Sequence, residues 1–319
     1  MAKPPHMPMS FRLYNPFNFK DVKPEEATLR AASLSVATAS VMIIIKFAAL
    51  IESGSVSVLA ALTDSGLDLV SSLVTFFAVR FAKTPPDAEH PFGHGKAEAF
   101  SALFQASLVF ASAALVGQQC LQSFWHPEPL RGSTLSIVVL IVSVALTLML
   151  VTIQTRALKA AQSVAISADR AHYTTDMATN MTALAGVFLA SFGVLYVDAI
   201  AGLIVTGVLV WGAVGVLREA ADHLMDKGLD PEALKRIHEL ALDDNRVLGI
   251  HSLRTRVSGP YVMIQMHMDL DPAQSLEAAH KVIIAAEKRL LADYPNADIL
   301  IHADPKGMAE PHGGVFTQD

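Results

Sequence analysis

The stretch Leu62-Thr-Asp-Ser-Gly-Leu-Asp68 places two carboxylates in the middle of an otherwise apolar segment that runs from about residue 56 to 81. Asp64 and Asp68 are four residues apart, so on a helix their side chains project from one face, one turn apart. Each aspartate at the centre of a membrane costs roughly 2.5 to 3.5 kcal/mol. The stretch therefore predicts a membrane helix with a functional polar face and a compensating partner elsewhere in the chain.

A second long apolar segment repeats the four-residue spacing with His172 and Asp176. Two helices then offer two ligands each, and three carboxylate oxygens with one imidazole nitrogen form a tetrahedral set suited to zinc. Iron(II), cadmium and manganese are other candidate ions. The alternative is that Asp64 and Asp68 simply pair with Lys46 of the first apolar segment. A matching His/Asp pair on another segment argues against that alternative.

The composition is that of a membrane protein. Of the 319 residues, 52% are hydrophobic and 17% are charged, and the mean hydropathy is +0.41, which is more apolar than a soluble enzyme of this length. The formal net charge of −6 argues against a nucleic-acid partner. The single cysteine, Cys120, excludes an intrachain disulfide framework and a thiolate metal cage. The first 26 residues lack the layout of a cleaved signal peptide.

Six apolar segments reach the ~20 residues that a helix needs to cross a lipid bilayer. They run at roughly 30–52, 56–82, 98–122, 133–155, 165–193 and 197–217. The third and fourth contain almost no charge and are expected to be ordinary lipid-facing helices. Basic residues cluster between the second and third segments and around the start of the fifth, whereas Arg131 is the only basic residue of the opposite loops. The positive-inside rule therefore predicts that both termini are cytoplasmic.

The chain after about residue 218 is rich in charged residues, which predicts a soluble cytoplasmic domain. Its pattern predicts a helix over 231–244, strands over 250–257 and 261–269, a helix over 276–292 and a strand over 298–302. This order, αββαβ, is that of a small ferredoxin-like α+β layer. Ser258-Gly259-Pro260 is the predicted hairpin turn.

The division of the chain follows from these patterns. We expect a cytoplasmic tail over 1–26, a six-helix transmembrane transport domain over 27–220, a cytoplasmic metal-binding domain over 226–306 and a C-terminal tail over 307–319.

A second candidate metal site, called the loop site, consists of Asp87, His90 and His94 between the second and third apolar segments. Pro91 and Gly93 bend the chain so that the three side chains could converge on one ion. Three ligands leave a position for water or an exchanging fourth ligand, so such a site is expected to bind weakly. A solvated loop that happens to carry histidines is the alternative.

A third candidate, called the cytoplasmic cluster, consists of four histidines and one aspartate of the soluble domain. These residues are His251, His267, His280, His302 and Asp304. Strand ends and a facing helix can bring such residues to one edge of the layer, where a two-metal cluster would fit. Each histidine taken singly is expected to be a surface residue, but together they predict a metal site.

The sequence resembles the cation diffusion facilitator family, specifically its bacterial zinc and iron(II) efflux branch, over about residues 27–306. Besides the two spaced pairs, the resemblance rests on Gly54-Ser-Val-Ser-Val-Leu-Ala60, Phe92-Gly-His-Gly-Lys-Ala-Glu98 and Leu253-Arg-Thr-Arg-Val-Ser-Gly259. It implies a homodimeric metal/proton antiporter in the lipid bilayer of the bacterial inner membrane. Zinc would be both cargo and a structural or regulatory ion of the cytoplasmic cluster, with no organic cofactor.

The resemblance also assigns residues to sites. It implies a transport site made by Asp64, Asp68, His172 and Asp176, together with the loop site and a two-zinc cytoplasmic cluster. It further implies an ion pair between Lys96 and Asp226 that ties the loop to the soluble domain.

These inferences predict proton-coupled export of a divalent transition metal from the cytoplasm by alternating access. Metal ligands must lose their protons to bind, so metal and protons compete for the same atoms. His172 is the expected proton carrier, because an imidazole has a reference pKa of about 6.5. The alternatives are an intramembrane zinc metalloenzyme, which would need an open water position, and a divalent cation channel, which would need a looser cage.

Overall fold

The computed structural model describes residues 24–53, 56–125, 134–190 and 197–308. Six long helices come first along the chain. Their bounds are α1 Pro24–Ser53, α2 Val56–Ala82, α3 Ala97–Trp125, α4 Thr134–Ala160, α5 Val164–Ala190 and α6 Val197–Leu224. The expected tails lie outside the described residues, apart from 24–26, which begin α1, and 307–308.

Five of the described helices are long and apolar enough to cross a membrane. These spans are Glu26–Glu52, Ala61–Ala82, Ala97–Gln122, Ile137–Ala160 and Gly202–Leu224. The remaining helix, α5, has 27 residues, but Asp169, His172 and Asp176 reduce its hydropathy. Because α5 packs against α3, α4 and α6, protein encloses much of its polar face. The predicted bundle of apolar helices is confirmed, and α5 is its polar member.

Small side chains allow the helices of the bundle to approach one another closely. One buried group joins α1, α2, α4 and α5 and is made largely of alanine. Its members are Ala27, Ala31, Ala32, Val79, Ile153, Ala157, Ala165 and Ile166. This packing holds the first turns of α5 against α1 and α4, so it sets the position of the residues that follow on α5.

The soluble domain has the predicted αββαβ order, which confirms the fold class. Its elements are α7 Pro231–Leu242, β1 Gly249–Ser258, β2 Tyr261–Leu270, α8 Leu276–Asp293 and β3 Ala297–Pro305. The strand order is β1-β2-β3, with β1 and β2 antiparallel and β2 and β3 parallel. Ser258 pairs with Tyr261, so Gly259 and Pro260 form the hairpin turn as predicted.

The two faces of this sheet have different roles. Ile264, Met266 and Met268 of β2 are buried in a core that includes Val282 and Leu290 of α8. Side chains alternate between the faces of a strand, so His267 and its neighbours on the adjoining strands point to the opposite face, away from α7 and α8. This second face, called the open face, carries His251, His267 and His302, which are three of the four histidines of the cytoplasmic cluster.

Candidate metal sites

The candidate transport site lies between α2 and α5. His172 Nε2 is 3.2 Å from Asp68 Oδ1 and 3.6 Å from Asp176 Oδ2. Tetrahedral ligands with bonds of about 2.1 Å lie about 3.4 Å from one another, so these separations suit one zinc ion. Asp68 is 5% exposed and His172 is 4% exposed, so an ion held here would be removed from bulk water.

Asp64 stands apart from this group. The ligand atoms of Asp68, His172 and Asp176 all lie within 4.8 Å of one another, whereas Asp64 is exposed and does not join them. Asp64 is one helical turn before Asp68 on the same face of α2. Its role as a fourth ligand therefore stays a prediction that requires its side chain to turn toward the other three.

Two polar atoms of the transport site are buried without a hydrogen-bond partner in the described part of the chain. They are His172 Nδ1 and Asp176 Oδ2. A buried polar atom without a partner costs about 1 to 3 kcal/mol. A bound cation would supply the missing partner of the Asp176 carboxylate, which is what a candidate cation site requires.

The loop site also comes together. The ligand atoms of Asp87, His90 and His94 lie within 4.8 Å of one another, with Asp87 Oδ1 3.4 Å from His90 Nδ1 and Asp87 Oδ2 3.3 Å from His94 Nε2. The backbone N–H of His90 donates to Asp87 Oδ1 at 2.7 Å. This hydrogen bond is the main reason that the pKa of Asp87 is lowered, so the carboxylate is charged and oriented at neutral pH.

The three loop ligands differ in how firmly they are held. His94 is 6% exposed, its ring packs edge-on against Phe81 with centroids 4.5 Å apart, and its Nδ1 lies 3.3 Å from the Thr84 carbonyl oxygen. Asp87 and His90 are exposed. One ligand is thus fixed and two face solvent, which suits a site that exchanges its ion readily.

Three members of the cytoplasmic cluster form a row across the open face. His251 pairs with His267 in the β1–β2 register, and His267 pairs with His302 in the β2–β3 register. Directly opposed residues on neighbouring strands place their side chains close together on one face. The ring centroids are 5.1 Å apart for the first pair and 4.8 Å apart for the second.

Asp304 lies against this row of histidines. Its Oδ2 is 3.2 Å from His251 Nε2 and 2.8 Å from His267 Nδ1, and its Oδ1 is 3.3 Å from His302 Nε2. One carboxylate therefore faces two histidines with one oxygen and a third histidine with the other. This donor set can bind one ion or bridge two.

The structure does not bring His280 to the cluster within one chain. His280 is exposed on α8, and α8 covers the face of the sheet opposite the histidine row. The sequence pattern showed that a helix follows the hairpin, but it did not show on which side of the sheet that helix packs.

Two family sequence models match the chain. The one described as the cation efflux transmembrane domain matches residues 32–225, which is more than half of the chain. The one described as the cation efflux protein, cytoplasmic domain, matches residues 229–306. The chain belongs to the cation efflux family. The resemblance to the cation diffusion facilitator family is thereby confirmed.

Relatives in this family align with nearly the whole chain. The cation-efflux pump FieF of Shewanella oneidensis is 38% identical over 275 residues, which cover 86% of this chain and 93% of the relative. The cation-efflux pump FieF of Yersinia enterocolitica is 39% identical over 287 residues, which cover 89% and 96%. These relatives are transporters, which confirms the prediction of a membrane transporter rather than an enzyme.

A solved structure, the metal-bound C-terminal domain of the CzcD transporter from Thermotoga maritima, covers 26% of this chain and 100% of its own. It is 23% identical with a TM-score of 0.23.

In this cation efflux protein the soluble domain contacts the bundle at the loop that carries the loop site. Lys96 Nζ lies 3.0 Å from Asp226 Oδ1, and Arg256 Nη1 lies 3.1 Å from Asp226 Oδ2. Arg256 also lies over the ring of Phe92, 4.8 Å from its centroid. Partial burial acts to raise the pKa of Asp226, but the contacts with Lys96 and Arg256 outweigh burial and lower it.

Next to this charge cluster, the hairpin turn of the soluble domain packs directly on the loop backbone. A Cβ on Gly95 would lie 2.1 Å from the Ser258 carbonyl oxygen, and a Cβ on Gly259 would lie 2.8 Å from the Gly95 Cα. Gly259 also has a φ of +58°, which glycine adopts without strain. Both positions therefore require glycine for the two domains to meet as they do.

Sequence reasoning missed Asp169, a buried carboxylate of α5 that lies outside the three candidate metal sites. It accepts hydrogen bonds from Ser35 Oγ of α1 at 2.7 Å, Gln154 Nε2 of α4 at 2.8 Å and Gln105 Nε2 of α3 at 3.0 Å. One fully buried side chain therefore ties four helices together. The third and fourth spans were expected to be ordinary lipid-facing helices, and this is wrong for the faces of α3 and α4 that carry Gln105 and Gln154. The signal was present, because a glutamine inside an uncharged span requires a polar partner.

Sequence reasoning also missed how the start of α5 is fixed. Glu98, in the first turn of α3, accepts a hydrogen bond from Ser163 Oγ at 2.5 Å and further bonds from the backbone amides of Val164 and Ala165. A carboxylate at a helix N-terminus satisfies unpaired N–H groups and interacts favourably with the helix dipole. Glu98 thereby anchors the helix that carries His172 and Asp176.

Proposed function

We propose that this cation efflux protein exports zinc from the bacterial cytoplasm in exchange for protons, with iron(II), cadmium and manganese as other candidate cargoes. The observation that carries the proposal is the group of buried Asp68 and His172 with half-buried Asp176 between α2 and α5, whose nitrogen and oxygen atoms are spaced as ligands of one tetrahedral ion. Asp64 would complete the set from the next turn of α2.

Coupling to protons follows from the ligands themselves. A carboxylate or imidazole binds metal only in its deprotonated form, so protons entering from outside displace the ion and cytoplasmic metal displaces the protons. His172 lies between the two carboxylates of the group and is the proposed proton carrier. Alternating access then exposes one set of atoms to each side of the membrane in turn.

The proposed orientation places the soluble domain in the cytoplasm of a bacterial inner-membrane protein. The basic loops join α2 to α3 and α4 to α5, and both lie at the end of the bundle that meets the soluble domain through Lys96 and Asp226. The positive-inside rule assigns that end to the cytoplasm. The proposed units are the transport domain over 27–220 and the metal-binding domain over 226–306.

We further propose a homodimer whose cytoplasmic clusters bind zinc. His251, His267, His302 and Asp304 supply the ligands from one chain, whereas His280 could reach a cluster only from a second chain. The loop site would be a separate, weaker site. His267→Ala should abolish a zinc-dependent increase in the dimer fraction, measured by sedimentation of the full chain in detergent, and a normal increase in this variant would contradict the cluster assignment.

The transport proposal is tested in proteoliposomes that contain a zinc-sensing dye. We expect wild-type zinc flux to accelerate when a pH gradient drives protons in the direction opposite to zinc. Asp68→Asn should abolish flux. Asp243→Asn, which changes an exposed aspartate at the end of α7, should leave flux unchanged. Zinc flux that does not depend on the proton gradient would identify a channel or uniporter. Wild-type flux in Asp68→Asn would remove the transport site from between α2 and α5.

A further inference from the structure

Lys46 is a buried cation of the membrane bundle that the mechanism above does not use. It lies in α1 and is 7% exposed. Its ammonium donates hydrogen bonds to Ser65 Oγ at 2.6 Å and to the Ala61 carbonyl oxygen at 3.1 Å. Both acceptors belong to α2, the helix that carries Asp64 and Asp68. Ionisable residues inside a membrane are costly to bury, so one held this firmly indicates a function.

The ammonium is close to the transport site without occupying it. In the described part of the chain its hydrogen bonds are to neutral oxygens rather than to a carboxylate, so the simple pairing of Lys46 with Asp64 and Asp68 is not what the structure shows. The two acceptors nevertheless lie within three residues of Asp64 along α2. Ser65 directly follows Asp64, and a lysine side chain has a flexible stem of four carbons. Reorientation of this stem toward Asp64 would bring the ammonium closer to that carboxylate.

The net charge of the metal-loaded site depends on Lys46. When metal is bound, the carboxylates of Asp64, Asp68 and Asp176 carry three negative charges. A divalent cation supplies two positive charges and the Lys46 ammonium supplies a third. The loaded site together with Lys46 is therefore neutral, and charge that is not compensated is costly in the low permittivity of the bundle. The further carboxylate nearby, Asp169, is held by three neutral donors of its own.

Lys46 also lies on a defined side of the site. It contacts α2 at Ala61 and Ser65, whereas α2 continues past Asp68 to Ala82 and the loop that meets the soluble domain. The ammonium is thus on the side of the transport site that faces away from the soluble domain. In the orientation proposed above, this is the side on which cargo is released.

We propose that Lys46 is a tethered counter-ion of the transport site that competes with the cargo for Asp64 and so promotes its release. The ammonium rests on Ser65 and Ala61 while metal is bound and moves to the Asp64 carboxylate as the metal leaves. This inference rests on the proposed function. It makes Lys46 a determinant of cargo affinity and turnover rather than a metal ligand.

The test compares Lys46→Gln with Lys46→Arg, which retains the charge, and with Lys159→Gln, which removes an exposed lysine from the end of α4. Zinc alone is the probe, and its binding to the full chain is measured by titration calorimetry at pH 8. The part of the binding isotherm that is lost in Asp68→Asn belongs to the transport site. We expect Lys46→Gln to bind zinc about tenfold more tightly at that component, because removal of one nearby charge has about this effect. Lys46→Arg and Lys159→Gln should stay within about twofold of the wild type.

Flux kinetics provide the second measurement. Tighter binding of cargo before and after translocation should reduce both KM and kcat in Lys46→Gln, a combination that a general loss of folding does not produce. Ser65→Ala provides an opposite expectation, because loss of the resting hydrogen bond leaves the ammonium free to compete and should weaken zinc binding. Ser65→Ala also serves if Lys46→Gln does not fold.

Unchanged or weaker zinc binding in Lys46→Gln, or unchanged binding in Ser65→Ala, would overturn the counter-ion proposal. Failure of the underlying function has a different signature, since Asp68→Asn would then retain zinc binding and flux. Loss of flux in Asp68→Asn together with wild-type kinetics in Lys46→Gln would leave the transport site intact and remove only the role of Lys46.

Discussion

His172 is the only nitrogen donor among the ligands proposed for the transport site. It lies between Asp68 and Asp176, at 3.2 Å from one carboxylate and 3.6 Å from the other. An imidazole is a borderline ligand that suits zinc, whereas carboxylates favour harder cations. We therefore expect the selectivity of the proposed site to depend on this single ring.

We predict that His172→Asp weakens the discrimination of zinc against manganese. An all-oxygen site accepts hard cations more readily, so zinc flux should fall while manganese flux falls less or rises. The measurement is the ratio of the two fluxes in proteoliposomes, with His238→Asp, an exposed α7 residue, as the control. A wild-type ratio in His172→Asp would mean that this histidine does not select the cargo.

At the scale of elements, α5 is the helix on which most constraints meet. Glu98 and Ser163 fix its first turn, Asp169 joins it to three other helices, and the hydroxyl groups of Tyr173 and Ser72 lie 2.7 Å apart between α5 and α2. Ser163 and Asp169 precede the proposed ligands on α5, and Tyr173 lies between His172 and Asp176. A polar helix is thus held by specific hydrogen bonds where an apolar helix would rely on packing.

We predict that Asp169→Asn destabilises the bundle. The amide nitrogen of asparagine cannot accept a hydrogen bond, so at least one of the donors on Ser35, Gln105 or Gln154 would lose its bond to residue 169 at a cost of about 1 to 3 kcal/mol. The melting temperature of the detergent-solubilised protein should fall by several degrees, and that of Asp243→Asn should not. An unchanged melting temperature in Asp169→Asn would show that the network contributes little to stability.

At the scale of the whole molecule, a small contact joins the soluble domain to the helix bundle. The hairpin turn with Gly259 rests on Gly95, and Asp226 binds Lys96 and Arg256 beside it. His94 of the loop site immediately precedes Gly95. The same few residues therefore connect a candidate metal site, the start of α3 and the soluble domain.

We predict that acid loosens this contact through Asp226. The pKa of this carboxyl is lowered in the folded protein, so its stabilising effect is present above the unfolded value of about 3.9 and is lost as the pH falls through the lowered folded value. Förster transfer between labels on the bundle and the soluble domain should decrease in that range. Asp226→Asn should show weaker transfer at neutral pH and less change with acid, and an acid response equal to that of the wild type would assign the effect to other groups.

Most of the architecture could be predicted from local patterns. Hydropathy marked the apolar helices because lipid requires about 20 apolar residues for each crossing, and two β-like runs on either side of the Ser258-Gly259-Pro260 turn marked the hairpin. A spacing of four residues on a helix placed Asp64 with Asp68 and His172 with Asp176. These features depend only on neighbours along the chain, so the sequence by itself determined the fold class and the candidate ligands.

Contacts between distant segments were decided by the tertiary structure alone. Ser35 meets Asp169 across 134 positions of sequence, Lys46 rests on Ser65 rather than on an aspartate, and α8 packs on the face of the sheet that keeps His280 away from the histidine row. No local period encodes which helix faces meet or which side of a sheet a helix covers. These choices follow from the packing of whole elements, because only the assembled bundle and sheet determine which buried polar groups find partners.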